Sequence, residues 1–468
     1  VEVPPQKASA ALDADTIAAV ATPRGRGGIG IIRVSGSSAD RICRTVTHTE
    51  TPAHREVRTA TFHDVEGHPI DAGLVVFFEG PRSFTGEDVL ELHGHGGAVV
   101  IDMVLAATLS AGARQARPGE FSERAFLNGK LDLTQAEAVA DLIDGATQAA
   151  VRSAMRSLRG EFSERIDVLA ESLRELRAYV EAAIDFPEDE VDFLGDGTVL
   201  RRLNELQQQL CDVADAARQG TMLTEGVTVV LAGAPNVGKS SLLNRLAGEE
   251  RAIVTAVPGT TRDVLNADLE LDGIPVRLID TAGLHASNDP VEQEGIRRAE
   301  AEIAKSDLLL MIADATQPGS AGLIGVAEAV AGDEGTRILH VRNKIDLTSE
   351  PASEPTDPTD PTDATEEVVR ISALTGAGIP ALRARLTQAL GLKSQDEGVF
   401  SARRRHLDAL TAAAGELKEA IDAFERVGAG ELLAEDLRRA HDLLGEITGR
   451  VSPDELLGDI FGRFCIGK

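Results

Sequence analysis

The chain has 468 residues, enough for two to four domains, each with its own core. Its 47 basic and 76 acidic side chains leave a net charge of −29, which argues against a general nucleic-acid binder. Three well-separated cysteines, Cys43, Cys211 and Cys465, exclude a disulfide framework or a cysteine-rich zinc site, and with no signal peptide or bilayer-length apolar run the chain reads as cytoplasmic, with no membrane contact.

The first 130 residues mix apolar strand-like runs, Gly30–Ser35 and Gly73–Phe78, with a helical stretch over Gly97–Leu109, which predicts a compact α+β domain. From 131 to 223 the pattern changes to long amphipathic helices such as Ala149–Ala183, interrupted at Asp185–Glu190. An α/β segment follows over 224–391, and helices resume over 392–468. The two helical stretches are expected to form one discontinuous domain with the α/β domain inserted between them, because the ends of such a domain lie close together. Within the insert, Ser349–Thr365 is rich in Pro, Thr, Asp and Glu and is expected to be a disordered loop.

Five motifs occur in fixed order inside the α/β segment. Gly233-Ala-Pro-Asn-Val-Gly-Lys-Ser240 follows an apolar strand and opens a helix, the context of a phosphate loop. In it the backbone of Asn236, Val237, Gly238 and Lys239 turns inward on phosphates, and Ser241 continues the helix start. Lys239 is expected to reach the β- and γ-phosphates and Ser240 to ligate Mg²⁺. Thr261, in Gly259-Thr-Thr-Arg-Asp263, is the expected second hydroxyl ligand. Asp280, in Asp280-Thr281-Ala282-Gly283, ends a second strand and holds Mg²⁺ through its water shell, with the Gly283 N–H sensing the γ-phosphate. The carboxylate of Asp346, in Asn343-Lys344-Ile-Asp346, can accept both the ring N–H and the exocyclic amine of guanine, and Ser372-Ala373 completes the base pocket through its backbone. The set reads as a Ras-like P-loop domain that hydrolyses GTP, with a switch loop ordered by phosphate and metal.

The position after Gly283 is Leu284, where many GTPases carry a glutamine that orients the attacking water. An apolar side chain cannot do that, so the charge and the water must be handled by an arginine finger or a bound cation, together with a carboxylate further on. Asn236 and Glu292 are the candidates.

Further strings resemble the MnmE (TrmE) family of tRNA-modification GTPases. They are Ala21-Thr-Pro-Arg-Gly-Arg-Gly-Gly-Ile-Gly30, Ser83-Phe-Thr-Gly-Glu-Asp88, Glu91-Leu-His-Gly-His-Gly-Gly97, Arg117-Pro-Gly-Glu-Phe-Ser-Glu-Arg124 and the closing Phe464-Cys-Ile-Gly-Lys468. The resemblance implies an N-terminal domain that binds tetrahydrofolate, as its 5-formyl or 5,10-methylene form, and also makes the homodimer. It implies joint action with the FAD protein MnmG to build an aminomethyl or carboxymethylaminomethyl group on carbon 5 of the wobble uridine of certain tRNAs. By motif, Arg33, Glu91, Lys130 and Lys468 match folate-contacting positions, and Cys465 matches a terminal cysteine near the folate. Asn236 matches a K⁺ ligand, the loop holding Thr255, Val257 and Thr260 completes that K⁺ site, and Glu292 matches a water-orienting glutamate. K⁺ would then supply the charge that an arginine finger supplies elsewhere, when two GTPase domains meet.

Three features depart from the family pattern: the acidic insertion, His285 where relatives often carry arginine, and the net charge. With only eight lysines, the acidic composition fits a salt-rich cytoplasm, where salt screens self-repulsion. A tRNA surface must then be local, with Arg403-Arg-Arg405 or Arg438-Arg439 as possible sites. A ribosome-assembly GTPase is the alternative, since the phosphate-loop string suits it equally. It would bring a basic RNA-binding domain, which the C-terminal sequence does not suggest. A scaffold with a dead nucleotide site is disfavoured because every GTP-handling motif is intact.

Overall fold

The computed structural model describes residues 15–23, 25–185, 197–249, 266–280, 302–303, 305–317, 337–354, 368–391, 399–451, 454–465 and 467. These form two compact units, one drawn from Val1–Ala140, Ile166–Arg174 and Arg438–Lys468, the other from Asp141–Arg165 and Glu175–Leu437.

In the first unit, β1 (Ile17–Val20), β2 (Gly27–Ser35), β3 (Val57–His63), β4 (Pro69–Phe78), β5 (Val89–Gly96) and β6 (Arg114–Gln115) make a sheet ordered β3-β4-β5-β2-β1-β6. Neighbours are antiparallel except β1 and β6. Alternation sends Ile32, Val34, Leu90, Leu92 and Val75 to one face. There α1 (Ala39–Thr47) and α2 (Ala98–Ser110) cover them with Ile42, Val46, Ile101 and Val104. Each such side chain stabilises the fold by about 1.5–3 kcal/mol on burial, so a one-residue slip that exchanged the faces is strongly disfavoured. The same alternation puts Arg33, Glu91 and His93 on the opposite face, with Arg33 directly across from Glu91. The strands expected at Gly30–Ser35 and Gly73–Phe78 start earlier, at Gly27 and Pro69, because pairing continues beyond the apolar runs that signalled them.

After α3 (Glu120–Leu127) comes α4 (Leu133–Asp144), whose Leu133, Ala136 and Ala140 pack with Ile460, Phe461 and Phe464 near the chain's end. The C-terminal helix Asp454–Gly462 also lies against α3, at Gly119, where a Cβ would come 2.4 Å from the Phe461 carbonyl oxygen.

The single helix expected over Ala149–Ala183 is two, α5 (Gln148–Leu158) and α6 (Glu161–Asp185), parted where Gly160 takes φ 93°. Then α7 (Thr198–Glu225) buries Leu203, Leu206, Leu210, Val213 and Ala217, a stripe of alternating three- and four-residue steps.

The inserted domain contains β7 (Val227–Ala232), α8 (Lys239–Glu249), β8 (Asn266–Leu271), β9 (Ile274–Asp280), β10 (Leu308–Asp314), β11 (Arg337–Asn343), β12 (Val368–Arg370) and α9 (Ile379–Leu390). Its sheet runs β12-β11-β10-β7-β9-β8, parallel except for β8 against β9. The central strands are near-continuous apolar runs because both faces are covered. Leu231, Leu278 and Leu310 pack with Leu242 and Leu382 on one side, and Val230, Leu309 and Met311 with Ile303 on the other.

After the insert, α10 (Arg404–Val427) packs on α7 through a matching stripe, Leu410, Ala413, Leu417, Ala420 and Phe424. Glu225, at the end of α7, accepts the Arg404 N–H on Oε1 at 2.9 Å, so the chain leaves and rejoins the helix pair at one place. Next comes α11 (Gly430–Thr448). The architecture is multidomain: an α+β N-terminal part, a discontinuous helical part and an inserted P-loop α/β domain.

Part of the loop expected to be disordered is ordered. The Ser353 hydroxyl accepts the Arg370 N–H at 3.0 Å, and the Ser353 N–H donates to the Arg370 carbonyl at 3.1 Å, extending the edge of β12. The rest of that loop, 355–365, lies outside the described residues.

Candidate functional site

Strand order reverses at β7, which places a crevice at the carboxyl ends of the strands where phosphate and base loops converge. The turn from β7 into α8 carries the phosphate loop. Asn236 is exposed at its tip with φ 61°, a left-handed conformation that asparagine tolerates. Val237 is buried in the sheet core and anchors the loop. At Gly238 a Cβ would stand 2.3 Å from Asn343 Nδ2, so only glycine lets the base loop approach this closely.

Lys239 starts α8 and is buried. Its Nζ donates to the Gly233 and Ala234 carbonyls at 2.8 and 3.1 Å, folding the ammonium back over the loop. Burial pushes its pKa below the usual lysine value, and the nearby Asp280 charge partly opposes that shift. Ser240 and Ser241 follow in the first turn, both exposed.

Leu231 pairs with Asp280 in the register of β7 and β9, so Asp280 ends its strand beside the phosphate loop. The Ser240 hydroxyl donates to Asp280 Oδ2 at 2.7 Å. Asp280 Oδ1 is buried and has no hydrogen-bond partner among the described residues. An unpaired buried carboxylate oxygen is costly, and a hydrated cation supplies the missing donors. Ser240 and Asp280 therefore fit Mg²⁺.

The base pocket is built across β10, β11 and the turn after β12. Asn343 Nδ2 donates to the Val237 carbonyl at 2.8 Å, and its Oδ1 accepts the Ala373 N–H at 2.9 Å. Lys344, at φ 68°, pairs its ammonium with Asp314 at 2.7 Å. Burial alone would raise the Asp314 carboxyl, but Lys344 and two hydrogen bonds from Thr316 hold it below the usual range. Asp346 is exposed, and one oxygen accepts the Ser372 hydroxyl at 2.6 Å. Sequence reasoning missed Asp314. Its signal was an apolar strand ending in an acid directly across from Asn343.

A second cluster lies on the other face of the N-terminal sheet, beside Phe121 of α3, which packs there with Ile17 and Ala19. Arg33 Nε donates to Glu91 Oε1 at 2.9 Å, and His93 Nε2 lies 3.0 Å from Glu91 Oε2. The Arg33 guanidinium sits 5.9 Å from the Phe84 ring centroid, and its Nη1 donates to the Gly467 carbonyl at 3.4 Å. Gly467 is held at φ 96° against Val20, where a Cβ would fall 2.3 Å from the Val20 carbonyl oxygen. The exposed Lys130 donates Nζ to the Pro81 carbonyl at 2.9 Å, touching the loop that also carries Phe84. Cys465 is exposed, and its carbonyl accepts the Gly119 N–H at 3.5 Å. Arg33, Glu91 and the chain's end are thus together. A guanidinium paired with a carboxylate beside an aromatic ring can take a planar ring that offers hydrogen-bond donors and acceptors. His93 was not anticipated, although its place two residues after Glu91 put it on the same face.

Thr255, Val257, Thr260, Thr261, Thr281, Ala282, Gly283, Leu284, His285, Glu292 and Lys468 lie outside the described residues. Two of the possible tRNA-facing arginines are engaged internally. Arg403 donates to the buried Asp141 carboxylate at 2.6 Å, and Arg438 pairs with Asp442 at 2.8 Å. Among the described residues, no helix is long and apolar enough to cross a membrane.

A phosphate loop with its lysine, a strand-end aspartate beside the loop's serine and an Asn-Lys-x-Asp base loop, set on this sheet order, define a P-loop GTPase. Two family models match the chain, GTP-binding protein TrmE N-terminus over residues 16–130 and MnmE helical domain over residues 133–465. The tRNA modification GTPase MnmE of Stutzerimonas stutzeri is 51% identical over 456 residues, covering 97% of this chain and 99% of that protein. The protein of the same name from Chromohalobacter salexigens is 52% identical over 457 residues, covering 97% and 98%. The chain belongs to the MnmE family of tRNA modification GTPases. Similar solved structures include the FeoB G-domain of Methanococcus jannaschii, 26% identical with TM-score 0.26, covering 35% of this chain and 98% of that one. Another is Aquifex aeolicus Era bound to GDP·AlF4⁻, 23% identical with TM-score 0.26, covering 41% and 66%.

Proposed function

We propose that this GTPase acts on tRNA as a homodimer. With an MnmG-type FAD protein it installs an aminomethyl or carboxymethylaminomethyl group on carbon 5 of the wobble uridine, drawing the carbon unit from a tetrahydrofolate. The observation that carries the reading is the pairing of two built sites in a family member: the Ser240–Asp280 contact beside the phosphate loop, and the Arg33–Glu91 pair facing the chain's end.

In the nucleotide site, Lys239 exchanges its two loop carbonyls for the β- and γ-phosphates, and Asp346 takes the guanine edge while Ser372 and Ala373 close the pocket. Ser240 and Thr261 would ligate Mg²⁺, with Asp280 acting through its water shell. Thr281, Ala282 and Gly283 would bind the γ-phosphate side of the nucleotide. Asn236, exposed at the loop tip, holds K⁺ with Thr255, Val257 and Thr260, and Glu292 orients water in place of the absent glutamine. The bound cations supply positive charge where negative charge develops on the phosphates.

In the folate site, Arg33 and Glu91 would hold the pterin and Lys130 and Lys468 the anionic tail, with Cys465 as the terminal cysteine near the folate. Hydrolysis in one site controls access to the other through GTPase-domain dimerisation. The alternative of a ribosome-assembly GTPase is not favoured, because family similarity covers nearly the whole chain.

The test is reconstitution. The full chain, an MnmG-type partner with FAD, GTP, K⁺, a methylene donor and glycine or ammonium are incubated with unmodified tRNA, and the wobble nucleoside is read by mass spectrometry. Formation of the modified uridine that requires both GTP and folate is expected. Uridine left unmodified in the complete mixture contradicts the reading.

A further inference from the structure

One side chain outside the recognised motifs joins the two halves of the nucleotide site. Arg245 lies nearly two turns into α8, the helix that the phosphate loop opens, and is partly buried. Its Nε donates to the Ala373 carbonyl at 3.1 Å, and its Nη2 donates to the Leu374 carbonyl. The planar fork of a guanidinium suits two successive carbonyls, whereas an ammonium would serve them as a point charge.

These bonds close a circuit. From the phosphate loop, the Val237 carbonyl accepts Asn343 Nδ2. Asn343 Oδ1 then accepts the Ala373 N–H, and the Ala373 carbonyl accepts Arg245, which returns to the phosphate-loop helix. Ser372 and Ala373 are buried, whereas the next residue, Leu374, is 76% exposed, so at Leu374 the clamp holds the loop where burial does not.

We propose that Arg245 is a positioning residue for guanine recognition. It holds the Ser372–Leu374 loop to the phosphate-loop helix, so that base and phosphates are gripped by one rigid frame and nucleotide release is slow. The proposal rests on the guanine-site reading above. Arg245 makes no contact with reacting atoms, and its effect is on residence time rather than on bond cleavage.

The test uses the full chain, wild type and the variants Arg245→Ala, Arg245→Gln and Arg245→Lys. GDP and IDP carrying a fluorescent ribose label are chased with unlabelled nucleotide, with ADP as a competitor, and GTP turnover is followed separately. In Arg245→Ala, GDP dissociation is expected to accelerate by roughly five- to thirtyfold, the consequence of losing about 1–2 kcal/mol of loop anchoring. IDP, which keeps the base's O6, should accelerate by the same factor. KM for GTP rises while kcat at saturation stays within about twofold. Arg245→Lys restores part of the residence time, and Arg245→Gln keeps one donor should the alanine variant fold poorly. Dissociation in the folded variants within about twofold of wild type, with wild type still preferring GDP to ADP, overturns the clamp alone. A fall in kcat at unchanged KM also overturns it. A wild-type chain indifferent between GDP and ADP overturns the guanine-site reading and the clamp with it.

Discussion

Ser240 and Asp280 are joined hydroxyl to carboxylate at 2.7 Å, and the other Asp280 oxygen is buried without a partner among the described residues. The pair fits Mg²⁺, whose water shell would supply hydrogen-bond donors to that buried oxygen. Asp280→Asn removes the charge and keeps the shape. Titrating Mg²⁺ against hydrolysis should show a Mg²⁺ midpoint raised by roughly tenfold or more and a rate lower by roughly a hundredfold. An unchanged Mg²⁺ midpoint would place the metal elsewhere.

Asp346 accepts Ser372 on one oxygen, and its exposed carboxylate can take two donors from a guanine edge. Asparagine offers an acceptor and a donor there, the pattern that xanthine complements. Asp346→Asn should weaken GTP by roughly a hundredfold or more, as expected for losing two charge-assisted hydrogen bonds. Affinity for XTP should rise. Competition binding with the two nucleotides reads both, and unchanged GTP preference would contradict this base assignment.

Asn236 stands exposed at the tip of the phosphate loop with a left-handed backbone. Asn236→Ala is expected to abolish K⁺ stimulation while GTP affinity stays within about threefold, since the loop's phosphate donors are backbone groups. Glu292→Ala should slow hydrolysis by roughly a hundredfold or more without weakening nucleotide binding. Stopped-flow binding and single-turnover hydrolysis separate these outcomes. Stimulation that survives the first change, or a normal rate after the second, removes the corresponding residue.

In the first unit, Glu120 is fully buried against Arg114 and Arg124, and Arg124 also binds Asp15 and Glu87. Burial alone would raise the Glu120 carboxyl, but Arg114, the Arg117 N–H and Arg124 outweigh it and hold the pKa below 4.5. Asp15 is likewise held below 3.8 by the same two arginines against its burial. Because the unfolded chain binds these protons more tightly, this stability is present above about pH 4.5 and is lost as pH falls through the folded values. Glu120→Gln should lower neutral stability by about 3–5 kcal/mol, because it leaves a buried guanidinium short of one counter-charge, and should flatten the acid limb. Urea unfolding of the full chain from pH 7 to pH 3, followed by circular dichroism, tests both. An unchanged acid limb would contradict the assignment.

Arg33 contacts Glu91, a neighbouring aromatic ring and the chain's last turn. Arg33→Ala should weaken 5-formyltetrahydrofolate by roughly tenfold or more and leave GTP hydrolysis unchanged. Calorimetry with the folate and a phosphate-release assay read the two effects. Equal folate affinity would move the site away from this face.

The sequence disclosed most where chemistry demands fixed spacing. The phosphate loop, Asp280 and the Asn343–Asp346 motif are local strings whose strands and helix could be read from adjacent apolar runs. Asp314 and Arg245 were less visible because their roles depend on tertiary register: one meets Lys344 from the neighbouring strand, the other reaches a loop more than a hundred residues away. The break at Gly160 was missed because apolar periodicity continues on both sides, and the ordered start of the acidic loop because its anchor is the backbone of Arg370, not composition. Arg403 and Arg438 illustrate the limit of charge runs. They look like free basic patches in sequence and are paired with Asp141 and Asp442 in the fold.

Without a switch glutamine, hydrolysis in the proposed mechanism depends on a bound cation beside the phosphates. GTP turnover by the full chain should therefore be measured in K⁺ and in Na⁺ at matched ionic strength, with GTPase-domain dimerisation in the presence of a transition-state mimic followed by energy transfer between labels on the two GTPase domains. Turnover at least tenfold faster in K⁺, with mimic-dependent dimerisation only in that salt, is the expected result for charge placed beside the transferring phosphate. Equal turnover and equal association in both salts would contradict it.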